Sequence, residues 1–270
     1  MNSLIEMFSY TFMLRALVVG IIISLCAGVL GVSLVLKKNS MIGDGLSHVA
    51  FGSLGVATVL SLQPLAFTIP ITILVSFLIL RINEKSKINS DSLIALISSS
   101  SLAIGVLLIS IKGVNTDLNA YLFGSILSCT DADIVLSIIL GIIVLSLYIT
   151  TYNKIFALTF DETFAKSIGI NTDFYNALLS ILCSLTIVIG MRLVGSLLIS
   201  SLIIFPCLSS TQLFKNYKSV ILSSSIISIF SFVIGLIISY SFSFPTGSTI
   251  VVVNLVLFLI FKIINIIKKG

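Results

Sequence analysis

Long runs of apolar residues restrict the possible structures of this chain more than any other feature. Each run is about 16 to 24 residues long. A helix of about 20 residues crosses the hydrocarbon core of a bilayer, whereas a strand of a membrane barrel needs only about 10. Charged residues make up 9% of the 270 residues, against roughly 25% in soluble domains. We therefore expect an all-α polytopic membrane protein, with residues 1–270 forming a single transmembrane domain.

The apolar segments also predict how the chain crosses the membrane. Nine segments can be placed, or eight if the two that meet near Gly190 are one. Their approximate boundaries are 13–36, 47–62, 65–81, 92–111, 133–151, 174–191, 193–213, 219–240 and 248–267. Most of the 15 Lys and Arg residues follow odd-numbered segments or lie near the C-terminus. Because cytoplasmic loops carry an excess of these residues, we expect the N-terminus outside the cell. The C-terminus and the loop 152–173 are expected in the cytoplasm.

Several other functions conflict with the residue pattern. The basic residues are scattered among short loops, so the net charge of +5 does not indicate nucleic-acid binding. The four cysteines have no CxxC spacing, which argues against a disulfide framework or a thiolate zinc site. No phosphate loop of the form GxxxxGK[ST] occurs in the sequence, so we expect no ATPase site in this chain.

Asp44 and His48 are the most informative polar residues, because they lie four positions apart beside an apolar run. A helix places such residues on one face, and ionisable groups within a membrane helix are costly and functional candidates. Carboxylate and imidazole are ligands of first-row metals. The pair indicates a metal site, and a second copy of the chain would bring the ligand number to four. In the alternative, Asp44 caps a helix and His48 bonds to a backbone carbonyl.

Small residues recur at places where helices could approach closely. They are Gly20, Ser24 and Gly28 in the first span, with Gly52 and Gly55 beside the Asp–His face. Small side chains allow close contact between helix backbones in a bilayer. The ordinary glycine content of membrane helices is the other explanation.

The loop 152–173 contains a short amphipathic segment. Asp161 and Glu162 suit the start of a helix, and Gly169 suits its end. Apolar residues recur at a spacing of four on one side: Phe160, Phe164 and Ile168. A helix of about two turns is predicted, too short to span a membrane. Its apolar side is expected to bind either lipid headgroups or a partner protein.

Five motifs spread over nearly the whole chain form a specific set. They are Met41–His48 (MIGDGLSH), Tyr121–Leu127 (YLFGSIL), Phe160–Gly169 (FDETFAKSIG), Met191–Leu198 (MRLVGSLL) and Phe244–Gly247 (FPTG). The set resembles the permease subunits of bacterial ABC importers for zinc and manganese. The chain departs from the usual pattern at Pro206–Ser210, where the family often has alanines.

The resemblance implies a fold, a function and partners. The fold would be a permease of the type II-like ABC importer architecture in the bacterial plasma membrane. The chain would move a divalent transition metal, with zinc favoured and manganese or iron as alternatives, and would hold no permanent cofactor. Its partners would be a cytoplasmic ABC ATPase dimer that binds ATP, an extracytoplasmic metal-binding lipoprotein and a second permease copy.

The resemblance also implies residue roles. Asp44 and His48 match positions implicated in binding the ion within the translocation path. The loop segment would be the coupling helix that docks on the ATPase, and its matching residues are Phe160, Asp161, Glu162, Phe164, Ala165, Ile168 and Gly169.

Two functions of other classes remain as alternatives. An ion-coupled secondary transporter would need further acids within the spans, and most acids here lie in loops or at segment ends. An intramembrane enzyme is less consistent with the sequence, because Met41 stands where a Gly-x-Gly-Asp protease motif needs glycine, and no HExxH pattern occurs.

Overall fold

The structure is a computed structural model that describes residues 9–85, 90–112, 124 and 129–269. In this part of the chain the regular structure is entirely helical. The helices are α1 (Thr11–Leu36), α2 (Met41–Val59), α3 (Pro64–Lys85), α4 (Ser90–Lys112), α5 (Asp131–Thr150), α6 (Tyr152–Phe160), α7 (Glu162–Ser167), α8 (Thr172–Val194), α9 (Ser196–Leu213), α10 (Tyr217–Phe242) and α11 (Thr246–Lys269). Each of the nine predicted apolar segments coincides with one long helix, and α6 and α7 lie in the predicted loop.

The expected count of eight or nine spanning helices is not reproduced by helix length and hydropathy. Within the described residues, six helices are long and apolar enough to cross a membrane: α1, α4, α5, α8, α10 and α11. Two further apolar stretches, Pro64–Ile79 in α3 and Leu198–Leu213 in α9, are shorter. Helix α2 is absent from the six because Asp44, His48 and several Gly and Ser residues lower its hydropathy.

Helix α1 lies at the centre of the bundle and packs against α5, α8, α9 and α10. Its apolar residues Val19, Ile23 and Leu30 are almost completely buried. On one side, α2 packs closely against α4 and also contacts α3, while α11 packs outside α9 and α10. The outward faces of α4, α5 and α11 expose large aliphatic side chains, which are suited to lipid or to a second membrane subunit.

Contacts near the helix ends define the relative directions of α1 and α5. Arg15 and Asp131 pair near the start of these helices, and Ser33 bonds to Tyr148 near their ends, so the two helices run parallel.

Two further pairs of helices have defined directions. Ser33 also bonds to Tyr217 at the start of α10, so α10 is antiparallel to α1. Phe205 contacts Phe258 and Gln212 bonds to Asn265, so α9 and α11 are parallel. These directions match the alternation expected of successive membrane crossings.

Three buried hydroxyl groups join α1, α5 and α10 at the end of the bundle where α1 terminates. The Ser33 Oγ atom lies 2.8 Å from the Tyr148 hydroxyl and 2.9 Å from the Tyr217 hydroxyl. The two tyrosine hydroxyls are 2.8 Å apart. Each polar group thus finds two partners in an apolar environment, which removes the cost of burying it unpaired. The triangle fixes the depth of α10 relative to α1 and α5.

Candidate functional site

Asp44 and His48 lie on the same face of α2, one turn apart. The His48 Nε2 atom is 3.6 Å from the Asp44 Oδ2 atom, which is beyond hydrogen-bonding distance. The side chain of Asp44 is 37% exposed and that of His48 is 20% exposed, so both reach the surface of this single chain. The other ring nitrogen of His48, Nδ1, is buried and has no hydrogen-bond partner among the described residues. Within the described part of the chain, neither side chain is paired with a group outside the pair itself, and both retain their capacity to bind a cation.

The interpretation of Asp44 as a helix cap is wrong. Helix α2 begins at Met41 and its N-cap position is Ser40, so Asp44 already lies inside the first turn. A capping side chain must precede the helix to reach the free N–H groups of the first turn. The apolar run predicts a helix that begins near position 47, which is too late. The small and polar residues before the run are also helical.

The pair supplies only two potential ligands. Within the described residues, no group of three or more His, Cys, Asp and Glu side chains could hold a metal ion. The four cysteines, Cys26, Cys129, Cys183 and Cys207, are buried and are not joined in disulfides. Since zinc sites hold four ligands, any metal held at this pair needs water or ligands from another molecule.

Close packing against α4 fixes the position of α2. A Cβ atom added at Gly52 would overlap the carbonyl oxygen of Ser101, and one added at Gly55 would lie 3.0 Å from the Cα atom of Gly105. Only glycine permits this separation between the two backbones. This close contact between α2 and α4, the seam, therefore lies within one chain, beside the helix face that carries Asp44 and His48. It holds the two candidate ligands on a rigid helix.

The small residues of α1 face α10. A Cβ atom at Gly20 would overlap the ring of Phe232, and one at Gly28 would lie 2.9 Å from the Cα atom of Ser225. Ser24 lies between them and is fully buried, with its hydroxyl unpaired among the described residues. The three positions therefore line a contact between α1 and α10.

The loop contains two helices where a single helix is predicted. Asp161 separates them, because its extended backbone places its carboxylate over the N–H of Phe164 at the start of α7. Helix α7 consequently has six residues and ends before Gly169, whose φ is +83°. Glycine adopts this backbone conformation without strain.

The loop helices present a mixed surface. Phe164 and Ile168 are 56% and 55% exposed, and Phe160 at the end of α6 is 60% exposed. Ala165 is fully buried and anchors α7 to the bundle. The Phe160 ring also contacts Tyr217, which belongs to the hydroxyl triangle. The three exposed side chains, called the apolar ridge below, lie on a segment that is held against the ends of α1, α5 and α10.

A polar network behind α7 was not predicted from the sequence. The Lys37 Nζ atom lies 3.1 Å from the Glu162 Oε2 atom and donates to the Oδ1 atom of Asn176. The Asn176 Nδ2 atom donates to Glu162 Oε1 at 3.2 Å. The network joins the end of α1, the start of α7 and the first turns of α8. The three residues are far apart in the sequence, so no local pattern predicts their contact. The only sequence signal for a role is the position of Lys37 directly after an apolar run.

The charge of Glu162 is stabilised by its neighbours. Burial by itself raises the pKa of the Glu162 carboxyl, whereas the positive charge and hydrogen bond of Lys37 lower it. Lys166 and Asn176 lower the pKa further, so it lies below its ordinary value. Glu162 is therefore ionised at neutral pH and pairs with Lys37 as a charged group.

One part of the motif set falls mostly outside the described residues, and another part forms the turn between two helices. Of the stretch 121–127 only Gly124 is described, and it lies against the backbone of Val194. In the stretch 191–198, the backbone turns between α8 and α9 at Gly195, which has a φ of +92°. This single residue separates two helices that the sequence left partly unresolved.

Comparison with known proteins links these features to one family. The sequence profile described as the ABC 3 transport family matches residues 9–265. The manganese import system permease protein ScaB of Streptococcus gordonii is 35% identical over 251 residues, which cover 93% of this chain and 90% of that protein. The high-affinity zinc uptake system membrane protein ZnuB of Haemophilus influenzae is 30% identical, over 91% of this chain and 94% of that protein.

A solved structure agrees with these matches. The chain in the structure titled PsaBC from Streptococcus pneumoniae in complex with Fab superposes with a TM-score of 0.87 and 32% identity. The alignment covers 96% of this chain and 94% of that one. The resemblance inferred from the five motifs is therefore confirmed.

Proposed function

The chain belongs to the ABC 3 transport family, and we propose that it is the permease subunit of an ATP-driven importer of a divalent transition metal. The observation that carries this proposal is the Asp44–His48 pair, with its two ligand groups one turn apart on a membrane helix. An acid and an imidazole on such a helix suit a metal cargo. The names of two relatives, a manganese importer and a zinc uptake protein, agree with this class of cargo.

The metal would pass between two copies of the chain. One copy offers a single carboxylate and a single imidazole, and both reach the surface of the isolated subunit. A symmetric dimer that faces these surfaces toward each other would offer two of each, the number of ligands that zinc prefers. Imidazole favours zinc over manganese, while the carboxylate suits either ion. The metal is a substrate in this scheme, and no resident cofactor is required.

ATP hydrolysis would be supplied by a separate ATPase dimer that docks on the loop helix α7. The apolar ridge of Phe160, Phe164 and Ile168 is exposed on a segment too short to cross a membrane. Burial of such side chains against a partner is favourable by roughly 25 cal/mol for each Å² of apolar surface that is removed from water. A metal-binding lipoprotein outside the cell would deliver the ion to the face of the permease that lies opposite α7.

We propose nine crossings in the plasma membrane, with the N-terminus outside and the C-terminus in the cytoplasm. The parallel directions of α1 with α5, and of α9 with α11, suit odd-numbered crossings, and the antiparallel α10 suits an even one. Lys37, Lys154, Lys215 and Lys268 lie toward the proposed cytoplasmic side, as expected for basic residues.

The proposal is tested by reconstituting the permease with its ATPase and lipoprotein in vesicles. We expect ATP-dependent accumulation of zinc or manganese, measured by elemental analysis of the vesicles, and no accumulation of magnesium. Accumulation that persists when ATP is replaced by an ion gradient would favour a secondary transporter instead. ATP hydrolysis without accumulation of any of these metals would contradict the proposed cargo.

A further inference from the structure

Lys37 is an unusual cation because it is nearly buried at the end of a membrane helix. Its side chain is only 14% exposed. A buried ammonium group is costly unless it is paired and hydrogen-bonded. Here Glu162 supplies the charge and Asn176 supplies a carbonyl oxygen, and these two side chains also bond to each other. The three side chains form a closed network, in which the loss of any member removes one partner from each of the other two.

Within the described residues, the network is a polar connection between α1 and the loop helix α7. Lys166 also approaches Glu162, at 3.6 Å, but it lies on α7 itself and its side chain is 56% exposed. That contact stays within one helix and cannot transmit a displacement to another. By contrast, a movement of Glu162 pulls directly on Lys37 and hence on the end of α1.

Lys37 is in turn rigidly joined to α2. The N–H of Asn39 bonds to the carbonyl of Leu34, and that of Lys38 bonds to Val35. Lys38 has a φ of +61°. These bonds and this left-handed residue form a Schellman motif, which fixes the chain as it leaves a helix. The N–H of Ile42 then bonds to the carbonyl of Asn39, so α2 begins directly after the turn.

We infer that Lys37 is a positioning residue that transmits the movement of α7 to α2 and so to the Asp44–His48 pair. The inference rests on the proposed function, because it assumes that an ATPase moves α7. The transmitted displacement passes from Glu162 to Lys37 through the ion pair, then through the fixed turn into the first residues of α2. Lys37 contacts neither the metal nor the ATPase in this scheme.

The ion pair between Arg15 and Asp131 provides a matched control. It also joins α1 to another helix through two short contacts, of 2.7 and 2.8 Å. It lies at the opposite end of α1 and is far more exposed, and exposed pairs contribute little to stability. The Arg15→Met variant therefore removes a cation from α1 without touching the connection to α7.

Hydrogen exchange of the permease without ATPase tests the anchoring role. In Lys37→Met, amides of 162–169 are expected to exchange about tenfold faster, because Glu162 and Asn176 lose their buried partner. The Lys37→Glu, Glu162→Lys double variant restores the pair in reverse and is expected to recover most of the protection. Exchange in Lys37→Met equal to that of the wild type would overturn the inference, with or without an ATPase present.

A spin label on the Met41→Cys variant, with the four buried cysteines replaced, tests transmission in the permease–ATPase complex. We expect ATP to change the spectrum of the label in the wild-type background and in Arg15→Met. In Lys37→Met the complex still assembles and hydrolyses ATP, the label loses its response, and the charge-reversed double variant regains it. A full response in Lys37→Met, or equal loss in Arg15→Met, overturns the inference. A normal label response without metal accumulation contradicts the proposed cargo alone and supports the role of Lys37.

Discussion

The imidazole of His48 lies one helical turn beyond the carboxylate of Asp44, with 3.6 Å between the Nε2 and Oδ2 atoms. At this distance the two groups are not hydrogen-bonded, and a cation can approach both from the exposed side of α2. The close packing of α2 against α4 holds the pair in place. A metal path through this protein is therefore expected to pass beside this face of α2.

Replacement of Phe164 by Asp is expected to release the ATPase. The backbone N–H of Phe164 keeps its bond to Asp161, so α7 retains its N-cap, while the exposed ring is replaced by a charge that a partner would have to desolvate. Recovery of the ATPase with the permease after detergent extraction measures the effect. Phe242→Asp is the control, because Phe242 is 65% exposed at the C-terminal end of α10. Phe160 of the ridge contacts Tyr217 at the other end of that helix. ATPase recovered at full stoichiometry with Phe164→Asp would exclude this ridge as the contact.

The proposed topology is tested with single cysteines in a variant that lacks the four native ones. Leu62→Cys, in the exposed turn between α2 and α3, is expected to react with a membrane-impermeant thiol reagent in intact cells. Ser167→Cys, at the end of α7, is expected to react only after the membrane is permeabilised. Labelling of Ser167→Cys in intact cells would reverse the orientation and also remove the ATPase contact from α7.

Gly52→Ala is expected to destabilise the permease by about 1–3 kcal/mol, since overpacking displaces backbone. The added methyl group would meet the carbonyl of Ser101, which cannot turn aside as a side chain can. Gly43→Ala on the same helix is the control, because the atoms nearest its Cβ atom all belong to the side chain of Ile203, with Cδ1 closest at 3.2 Å. The thermal midpoint of the detergent-purified protein measures both changes. Equal midpoints for the two variants would contradict the tight seam.

The ion pair of Glu162 and Lys37 is expected to persist throughout the physiological pH range. The folded-state pKa of Glu162 lies below its ordinary value, so the stabilisation is complete above the unfolded pKa of about 4.3. It is lost as the pH falls through the lower folded value. Hydrogen exchange of 162–169, corrected for intrinsic rates, is therefore expected to be constant from about pH 5.5 to 8. A loss of protection near pH 6 would show that Glu162 is not held in the charged form.

The sequence was sufficient to predict the long helices and the pair on α2, because both follow from local patterns. Apolar runs of spanning length are helical in a bilayer, where every backbone group must find a partner within the segment. A spacing of four places Asp44 and His48 on one face in any helix. The small residues of α1 indicated a close contact, but only the structure shows that their partner is α10.

Other features depend on contacts that no local pattern contains. The network of Lys37, Glu162 and Asn176 joins three helices whose arrangement is set by the packing of the whole bundle. The break at Asp161 arises because one residue both ends α6 and caps α7. The early start of α2 was missed because Gly and Ser residues carry weak helix signals on their own.

The most direct test of the central claim is metal uptake by the Asp44→Asn variant. The amide has nearly the size of the carboxylate but lacks the negative charge that offsets a divalent cation. Cells that lack other importers would carry the wild type, Asp44→Asn or His48→Ala, with the amount of assembled permease–ATPase complex measured in the same membranes. We expect both variants to assemble normally and to lose zinc or manganese uptake by at least about tenfold. Wild-type uptake by Asp44→Asn at normal assembly would contradict a metal-binding role for this residue.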